Sequence, residues 1–286
     1  MQTDKRPIYK SVRFWQILIS AIVVLGLGVA IWVFLKKGPG SVELEPVGTA
    51  PTEAETTEPT LPPLPTNPYS TLDFYLEDGY MTCKSGKSTL GIDVSVWQGD
   101  IDWQQVKEAG MEFAMIRVGY RGSNEGTLHE DSMAQTYYQG AKAAGLKVGA
   151  YFFSQAVTPE EAVEEADYML AKMEGWELDM PVVFDWELVS SEARNAKVDA
   201  RTLTDCILAF SRHMEQAGHT PMVYFSHNHS ENGMILPELK DYQFWLAKYD
   251  SVMDYPHRVD MWQYTDQGKV PGISGNVDIN LWLHYD

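Results

Sequence analysis

Two carboxylates separated by one residue close an apolar run. In PVVFDWELVS, residues 181–190, Asp185 and Glu187 flank Trp186. On a strand alternate side chains share a face, so both acids point one way and Trp186 the other. A carboxyl group beside another in a partly desolvated cleft keeps its proton to higher pH. Such a pair is equipped for acetal hydrolysis: one acid protonates the departing sugar oxygen, and the other stabilises positive charge or orients a nucleophile. Glu187 is the stronger candidate for the proton donor, with Asp185 beside it and Phe184 nearby; spacing alone leaves the reverse assignment open. Two more acids stand at strand-like ends, Asp93 in GIDVSVWQG and Asp278 in DINLWL. They would align hydroxyls, water or a sugar amide. Taken singly, the four acids are equally strand caps or solvated edges.

Aromatic residues crowd the same predicted strand ends: Trp97, Tyr120, Tyr151 and Tyr224, then Trp245, Tyr249, Trp262 and Tyr264. Flat rings pack on the apolar faces of sugars while hydroxyl or indole groups supply polar contacts. Any one of them is also at home in a core or on a rim. Arg117 and Gln263 can supply positioned hydrogen bonds, although a structural salt bridge serves Arg117 as well. Other chemistries lack their signatures. There is no G-x-G-x-x-G fingerprint, no G-x-x-x-x-G-K-[ST] loop and no G-x-S-x-G elbow. His227 and His229, in SHNHSENG, do not make a zinc-ligand arrangement. Neither cofactor nor metal is expected.

The elements that must hold these residues alternate. GIDVSV (91–96) precedes IDWQQVKEAG, FAMIRVGY (113–120) precedes MAQTYYQGAKAAG (133–145), and KVGAYFFS (147–154) precedes TPEEAVEEADYMLAKM (158–173). Thr158, Pro159 and Glu161 are a cap, a first-turn proline and a capping-box acid, and Val163, Ala166, Met169 and Leu170 form an apolar helical face. PVVFDW is the fourth strand, with a helix around 197–217, and PMVYFS (221–226) the fifth. QFWLAKY (243–249), RVDMWQYT (258–265) and VDINLWL (277–283) follow with short connections. About five β/α units and a sheet-rich end predict an α/β, flattened TIM-like β/α barrel with three terminal strands; a doubly wound open sheet has the same periodicity.

Before that domain the composition changes. Residues 17–35 carry no charge and approach the ~20 residues needed to cross hydrocarbon. With Lys5, Arg6, Lys10 and Arg13 before them, the positive-inside bias predicts a cytoplasmic N-terminus. The expected organisation is a cytoplasmic tail (1–15), one transmembrane signal anchor (16–37), an extracellular tether (38–68) with eight prolines and five glutamates, an extension (69–88) and a catalytic domain (89–286). The protein would be single-pass, attached to the cell membrane through its N-terminal helix. Residues 69–90 mix Tyr, Phe and Leu with polar residues and could pack on the barrel or face a protein partner. With 40 acidic against 22 basic residues and a net charge of −18, a nucleic-acid partner is disfavoured. Cys83 and Cys206 permit one disulfide, which sequence separation cannot decide.

The ordered motifs GIDVSVWQGDIDWQQVKEAGMEFAMIRVGY, AYFFS, PVVFDWE, WLAKY, MWQYT and GISGNVDINLW resemble those of glycoside hydrolase family 25, the cell-wall muramidases, over residues 89–286. The resemblance implies a flattened barrel with five helices, and cleavage of peptidoglycan at the β-1,4 bond between N-acetylmuramic acid and N-acetylglucosamine. It places Glu187 at the general acid and Asp185 at its companion. Asp93 and Asp278 match the acids of the opening and closing motifs, and Tyr151, Tyr224 and Gln263 fall in the surrounding subsites. It favours a retaining reaction assisted by the substrate's N-acetyl group; a direct carboxylate nucleophile or an inverting water route would need a different carboxyl geometry, which sequence spacing does not give. A noncatalytic glycan-binding domain would share the aromatics and acids, and a wall-associated scaffold would share the anchor; neither accounts for the full acid set.

Overall fold

The computed structural model describes residues 63–84, 87–227 and 233–285. A hairpin comes first, β1 (Phe74–Glu77) and β2 (Tyr80–Cys83). Asp78 and Gly79 join them with positive φ at both positions, the conformation a two-residue hairpin loop demands and an Asp-Gly pair supplies. Nine further strands form one sheet: β3 (Ser88–Val94), β4 (Phe113–Arg121), β5 (Leu128–Glu130), β6 (Lys147–Ser154), β7 (Val182–Trp186), β8 (Pro221–Ser226), β9 (Gln243–Ala247), β10 (Met261–Gly268) and β11 (Val277–Leu283). β3 pairs with β4 and with β11, so eight strands close into a ring and β5 lies outside it, against β4. From β3 through β10 the ring is parallel; β11 runs against both neighbours.

Four α-helices with both ends among the described residues lie in the connections: α1 (Trp103–Glu108), α2 (Ala134–Ala143), α3 (Pro159–Lys172) and α4 (Ala200–Gln216). The cap expected of α3 is made, with Thr158 Oγ1 accepting the Glu161 amide at 3.3 Å. The connection between β8 and β9 includes a 3-10 turn, Leu236–Leu239, with Pro237 near its start; residues 228–232 of it lie outside the described residues. Residues 269–276, between β10 and β11, are fewer than the dozen or so that a parallel crossover needs, so β11 returns antiparallel.

This corrects the expected architecture. The molecule is a closed eight-stranded barrel of mixed direction, not a TIM-like β/α barrel with five β/α units. Hydrophobic periodicity located strands and helices, but strand direction depends on the length and content of each connection. A second correction concerns the membrane. No helix among the described residues is long and apolar enough to cross one, and the expected anchor, residues 16–37, lies outside the described residues. The expected transmembrane helix, membrane attachment and single-pass localisation have no counterpart among the described residues.

Period-two alternation sorts each strand into two cores. Met115, Val183, Met222, Trp245 and Met261 fill the barrel interior. Ile116, Phe184, Val223, Leu246 and Ile279 face outward into the larger core with the helices. The hairpin belongs to that outer core: Phe74 meets Trp262 edge-on at 5.4 Å, and the Met81 amide donates to the Tyr264 hydroxyl at 3.3 Å. Part of the expected tether is also tied down, since Asn67 N donates to Pro256 O and Arg258 N to Pro65 O. Cys83 and Cys206 are both free and buried.

On β3, Gly91 lets the Phe113 ring lie across the backbone; an added Cβ would sit 2.4 Å from that ring. Phe113 is buried and braced by Trp282, so the ring has little room to yield. Gly91→Ala is expected to lower unfolding free energy by about 1–3 kcal/mol, the range for overpacking a filled core. A urea titration with an unchanged midpoint would contradict this.

Candidate active site

The parallel strands point their carboxyl ends at one mouth of the barrel. There a cavity of about 190 Å³ is lined by Asp93, Asp185, Glu187 and Asp278, with Arg117, Tyr151, Tyr224, Trp245 and Gln263 around them. Parity along each strand explains the set. Val183 and Asp185 point inward from β7, and Glu187 continues that face just past the strand end. Asp93 on β3 stands opposite Asp278 on β11 in the ladder. Arg117 is paired with Tyr151, and Tyr224 with both Asp185 and Trp245. The cleft continues past Glu187, Tyr224 and Tyr249 into a second hollow of about 800 Å³.

The acids fall into two neighbouring pairs, Asp93 with Asp278 across the ladder and Asp185 with Glu187 at the end of β7. Asp93 Oδ2 accepts from Gln263 Nε2 at 2.8 Å and Asn280 Nδ2 at 2.7 Å. Asn280 is itself fixed, its Oδ1 accepting the Trp245 indole N–H at 2.8 Å. Gln263 Oε1 accepts from the hydroxyls of Tyr224 (3.2 Å) and Tyr249 (3.1 Å). Burial raises the Asp93 pKa, and the two amide donors oppose that shift without cancelling it. Asp278 is pushed up to about 9, first by burial and then by the Asp93 charge. Burial and the neighbouring Asp93 charge thus favour the protonated form of Asp278.

The second pair is Asp185 and Glu187. Burial holds Asp185 well above the usual carboxylate range, and the Glu187 and Asp93 charges add to it, against the pull of Arg117. Glu187 is also raised by burial, opposed by the Tyr224 hydroxyl and by Asp185. Neighbouring carboxylates in a low dielectric do not both ionise readily, so the pair keeps a proton above the usual carboxylate range. Asp185 Oδ1 is buried without a hydrogen-bond partner. A buried acceptor left unsatisfied is expensive, and a donor arriving from outside would relieve it. Arg117 is engaged through Nε to Asp131 Oδ2 at 2.9 Å. It thus both lines the cleft and makes the salt bridge that its sequence setting allowed.

One predicted site residue does not belong. Tyr264 faces away from the cleft, packed on Trp262 at 5.7 Å and bonded to the hairpin. On β10 Gln263 points inward, so its neighbours Trp262 and Tyr264 must point outward. Conversely Ser95, Gln98 and Phe153 line the cavity although nothing in their sequence setting marks them, and Tyr249, one of the strand-end aromatics, joins them there. Trp97 stands at its rim, 81% exposed. Asn280 was missed despite a plain signal, two residues after Asp278 on the same strand face. Among the described residues no group of three or more His, Cys, Asp or Glu side chains is placed to hold a metal ion; His229 lies outside the described residues.

Residues 92–273 match the family model for glycosyl hydrolases family 25. The chain is 32% identical over 204 residues to lysozyme M1 of Streptomyces globisporus, covering 66% of each protein. It is 30% identical over 191 residues to the autolytic lysozyme of Clostridium acetobutylicum, covering 66% of this chain and 54% of that one. It therefore spans between about half and two thirds of the length of these relatives. Among solved structures, a bacterial lysozyme from Streptomyces coelicolor aligns with a TM-score of 0.54 and 29% identity, over 67% of this chain and 90% of the other. The modular autolysin LytC from Streptococcus pneumoniae shares the fold, with a TM-score of 0.62 at 23% identity over 73% and 52% of the two chains. With the family model matched over more than half its length, the chain belongs to family 25 of the glycosyl hydrolases.

Proposed function

We propose that this protein is a muramidase, hydrolysing the β-1,4 bond between N-acetylmuramic acid and N-acetylglucosamine in bacterial peptidoglycan. The observation that carries the reading is the convergence of Asp93, Asp185, Glu187 and Asp278 on one cleft, in a chain of this family. The names of its relatives, an autolytic lysozyme and lysozyme M1, agree with it.

In the proposed reaction the substrate's acetamido N–H donates to the unsatisfied Asp185 Oδ1. That donation favours ionised Asp185 and leaves the pair's proton on Glu187. Glu187 gives this proton to the glycosidic oxygen as the bond to the anomeric carbon breaks, while the acetamido oxygen bonds to that carbon and forms an oxazolinium ion. Water then attacks the same carbon and yields its proton to Glu187. The acetamide re-forms, and the two displacements give net retention. Asp93, with Gln263 and Tyr224, positions hydroxyl groups.

The test is to incubate purified protein with intact peptidoglycan, reduce the products with borohydride and identify the new ends. Muramitol supports the proposed bond; glucosaminitol would identify a different bond, and saccharide binding without new ends would identify a noncatalytic glycan-binding domain. Exposed Trp97 is expected to act as a stacking platform. Trp97→Ala should raise KM by about 3- to 10-fold, with kcat within twofold, in proportion to a ring contact of this kind. A fall in kcat at unchanged KM would place Trp97 in the chemistry instead.

A further inference from the structure

The main chain of Glu187 has lost the support that holds Asp185. The last ladder partner of β7 is Trp186 on the β6 side and Asp185 on the β8 side, so Glu187 lies just beyond the sheet. Its carbonyl is nevertheless held twice: Gln155 Nε2 donates to Glu187 O at 2.6 Å, and Asn195 Nδ2 donates at 2.9 Å. Gln155 and Asn195 are both almost wholly buried. They approach from different segments, one just past β6 and the other from the loop between β7 and α4.

Both amides are anchored in turn. Gln155 Nε2 also donates to Ser154 O at 2.9 Å, and its main-chain oxygen accepts from Arg194 Nη1 at 2.7 Å. Arg194 grips Glu161 with two bonds, Nη2 to Oε1 at 2.6 Å and Nη1 to Oε2 at 2.8 Å, and its own amide donates to Ser123 O at 2.9 Å. A forked guanidinium–carboxylate pair fixes direction as well as distance. On the other side of β7 the Trp186 indole donates to Ala156 O at 2.9 Å. The segment carrying Glu187 is thus tied to the residues after β6 by both its inward and outward neighbours.

Each clamping amide is only half used. Gln155 Oε1 and Asn195 Oδ1 are buried without a partner. A buried acceptor with no donor weakens the fold, since its desolvation is uncompensated. An amide kept in that state serves its donor end, and here both donor ends meet at one oxygen.

We propose that Gln155 and Asn195, braced by the Arg194–Glu161 pair, are positioning residues that hold the Glu187 carboxyl in line with the bond to be cleaved. They touch no reacting atom. Their action runs through the Glu187 backbone, whose orientation sets where the side chain can reach. This role rests on the proposed function for its catalytic consequence, but the placement of Glu187 can be read without turnover. The carboxyl is faced by Asp185 from β7, Asp93 from β3, Arg117 from β4, Tyr224 from β8, Asp278 from β11 and Tyr249 beyond β9. A released segment would let it leave these neighbours for water.

The experiment compares the parent protein with Gln155→Met, Asn195→Ala and the double variant. Gln155→Met keeps the side-chain length and removes the unpartnered Oε1 with the donor, so it should fold. Carbon-13 labelling of glutamate, with Glu187→Gln used to assign the resonance, gives the Glu187 titration directly. In the clamp variants its midpoint should move down, toward that of an ordinary glutamate. On peptidoglycan, kcat should fall about 10- to 100-fold with KM within threefold, the penalty of a small misplacement, and the pH optimum should shift with the titration. Folded variants whose Glu187 titration and kcat both match the parent would overturn the proposal. A parent that fails to cleave peptidoglycan would overturn the proposed function, while the titration would still decide the clamp.

Discussion

Glu187→Gln is expected to reduce kcat on peptidoglycan by a factor of about 10²–10⁴, the usual contribution of a positioned acid. The amide keeps the size and shape of the carboxyl, so cleft packing and saccharide affinity should persist, with KM within a few-fold of the parent. The Tyr224 hydroxyl that stabilises the Glu187 charge can still bond to the amide oxygen. What disappears is a proton that can be given to the leaving oxygen and a base that can take one from water. Asp185→Asn is expected to be nearly as damaging, since it removes the negative charge offered to the acetamido group. The measurement is initial-rate release of reducing ends, with circular dichroism to verify that each variant is folded. A Glu187→Gln protein that retains more than a tenth of the parent's kcat would remove Glu187 from the role of acid. If Asp185→Asn were then the inactive variant, the two roles would exchange.

How much of this was legible without coordinates depended on whether the information lay within one element or between elements. The shared direction of Asp185 and Glu187 follows from strand parity alone, and the cleft contains both. The same parity would have excluded Tyr264 and included Asn280, had it been applied outward from Gln263 and Asp278. The aromatic ring at a strand end was a weaker signal than its phase. By contrast, the Asp93–Asp278 apposition is a register between the first and last strands of the ring. No local pattern encodes it; the match to family motifs brought the two acids together before the sheet did. The Gln155 and Asn195 bonds are also non-local, and neither residue type carries a chemical signature. Strand positions were read closely, with Lys147–Ser154, Pro221–Ser226 and Val277–Leu283 matching their apolar runs. The overall architecture was misread because hydropathy marks what is buried but does not fix the direction in which a strand enters the sheet.

Asp278→Asn is expected to make the protein more stable at neutral pH. In the unfolded chain Asp278 titrates near the ordinary ~3.9, whereas in the fold burial and the Asp93 charge push it up to about 9. A carboxyl raised in this way favours the folded state below the unfolded value, where both states are protonated and nothing is lost. As pH rises above ~4, the unfolded chain releases the proton while the fold must keep it, so stability declines until the folded group titrates as well. Near pH 7 this penalty is on the order of 2–4 kcal/mol after allowing for relaxation around the coupled Asp93. Asparagine removes the titration yet can still donate to Asp93, as the protonated acid does. The variant should therefore melt roughly 5–10 °C above the parent at pH 7. The gap should close toward pH 4 and stop widening above pH 9. Its activity reads the same state from the other side. If Asp278 serves as a neutral donor, turnover at pH 7 should stay within about tenfold of the parent, far above that of Glu187→Gln. Scanning calorimetry across pH 4–9 decides the first part: equal melting temperatures throughout would mean that Asp278 is ionised in the fold at neutral pH, and that the proton shared with Asp93 is absent. Much greater loss of turnover in a stabilised variant would mean that the chemistry draws on the minor, charged form of Asp278, retained in the cleft despite what it costs the fold.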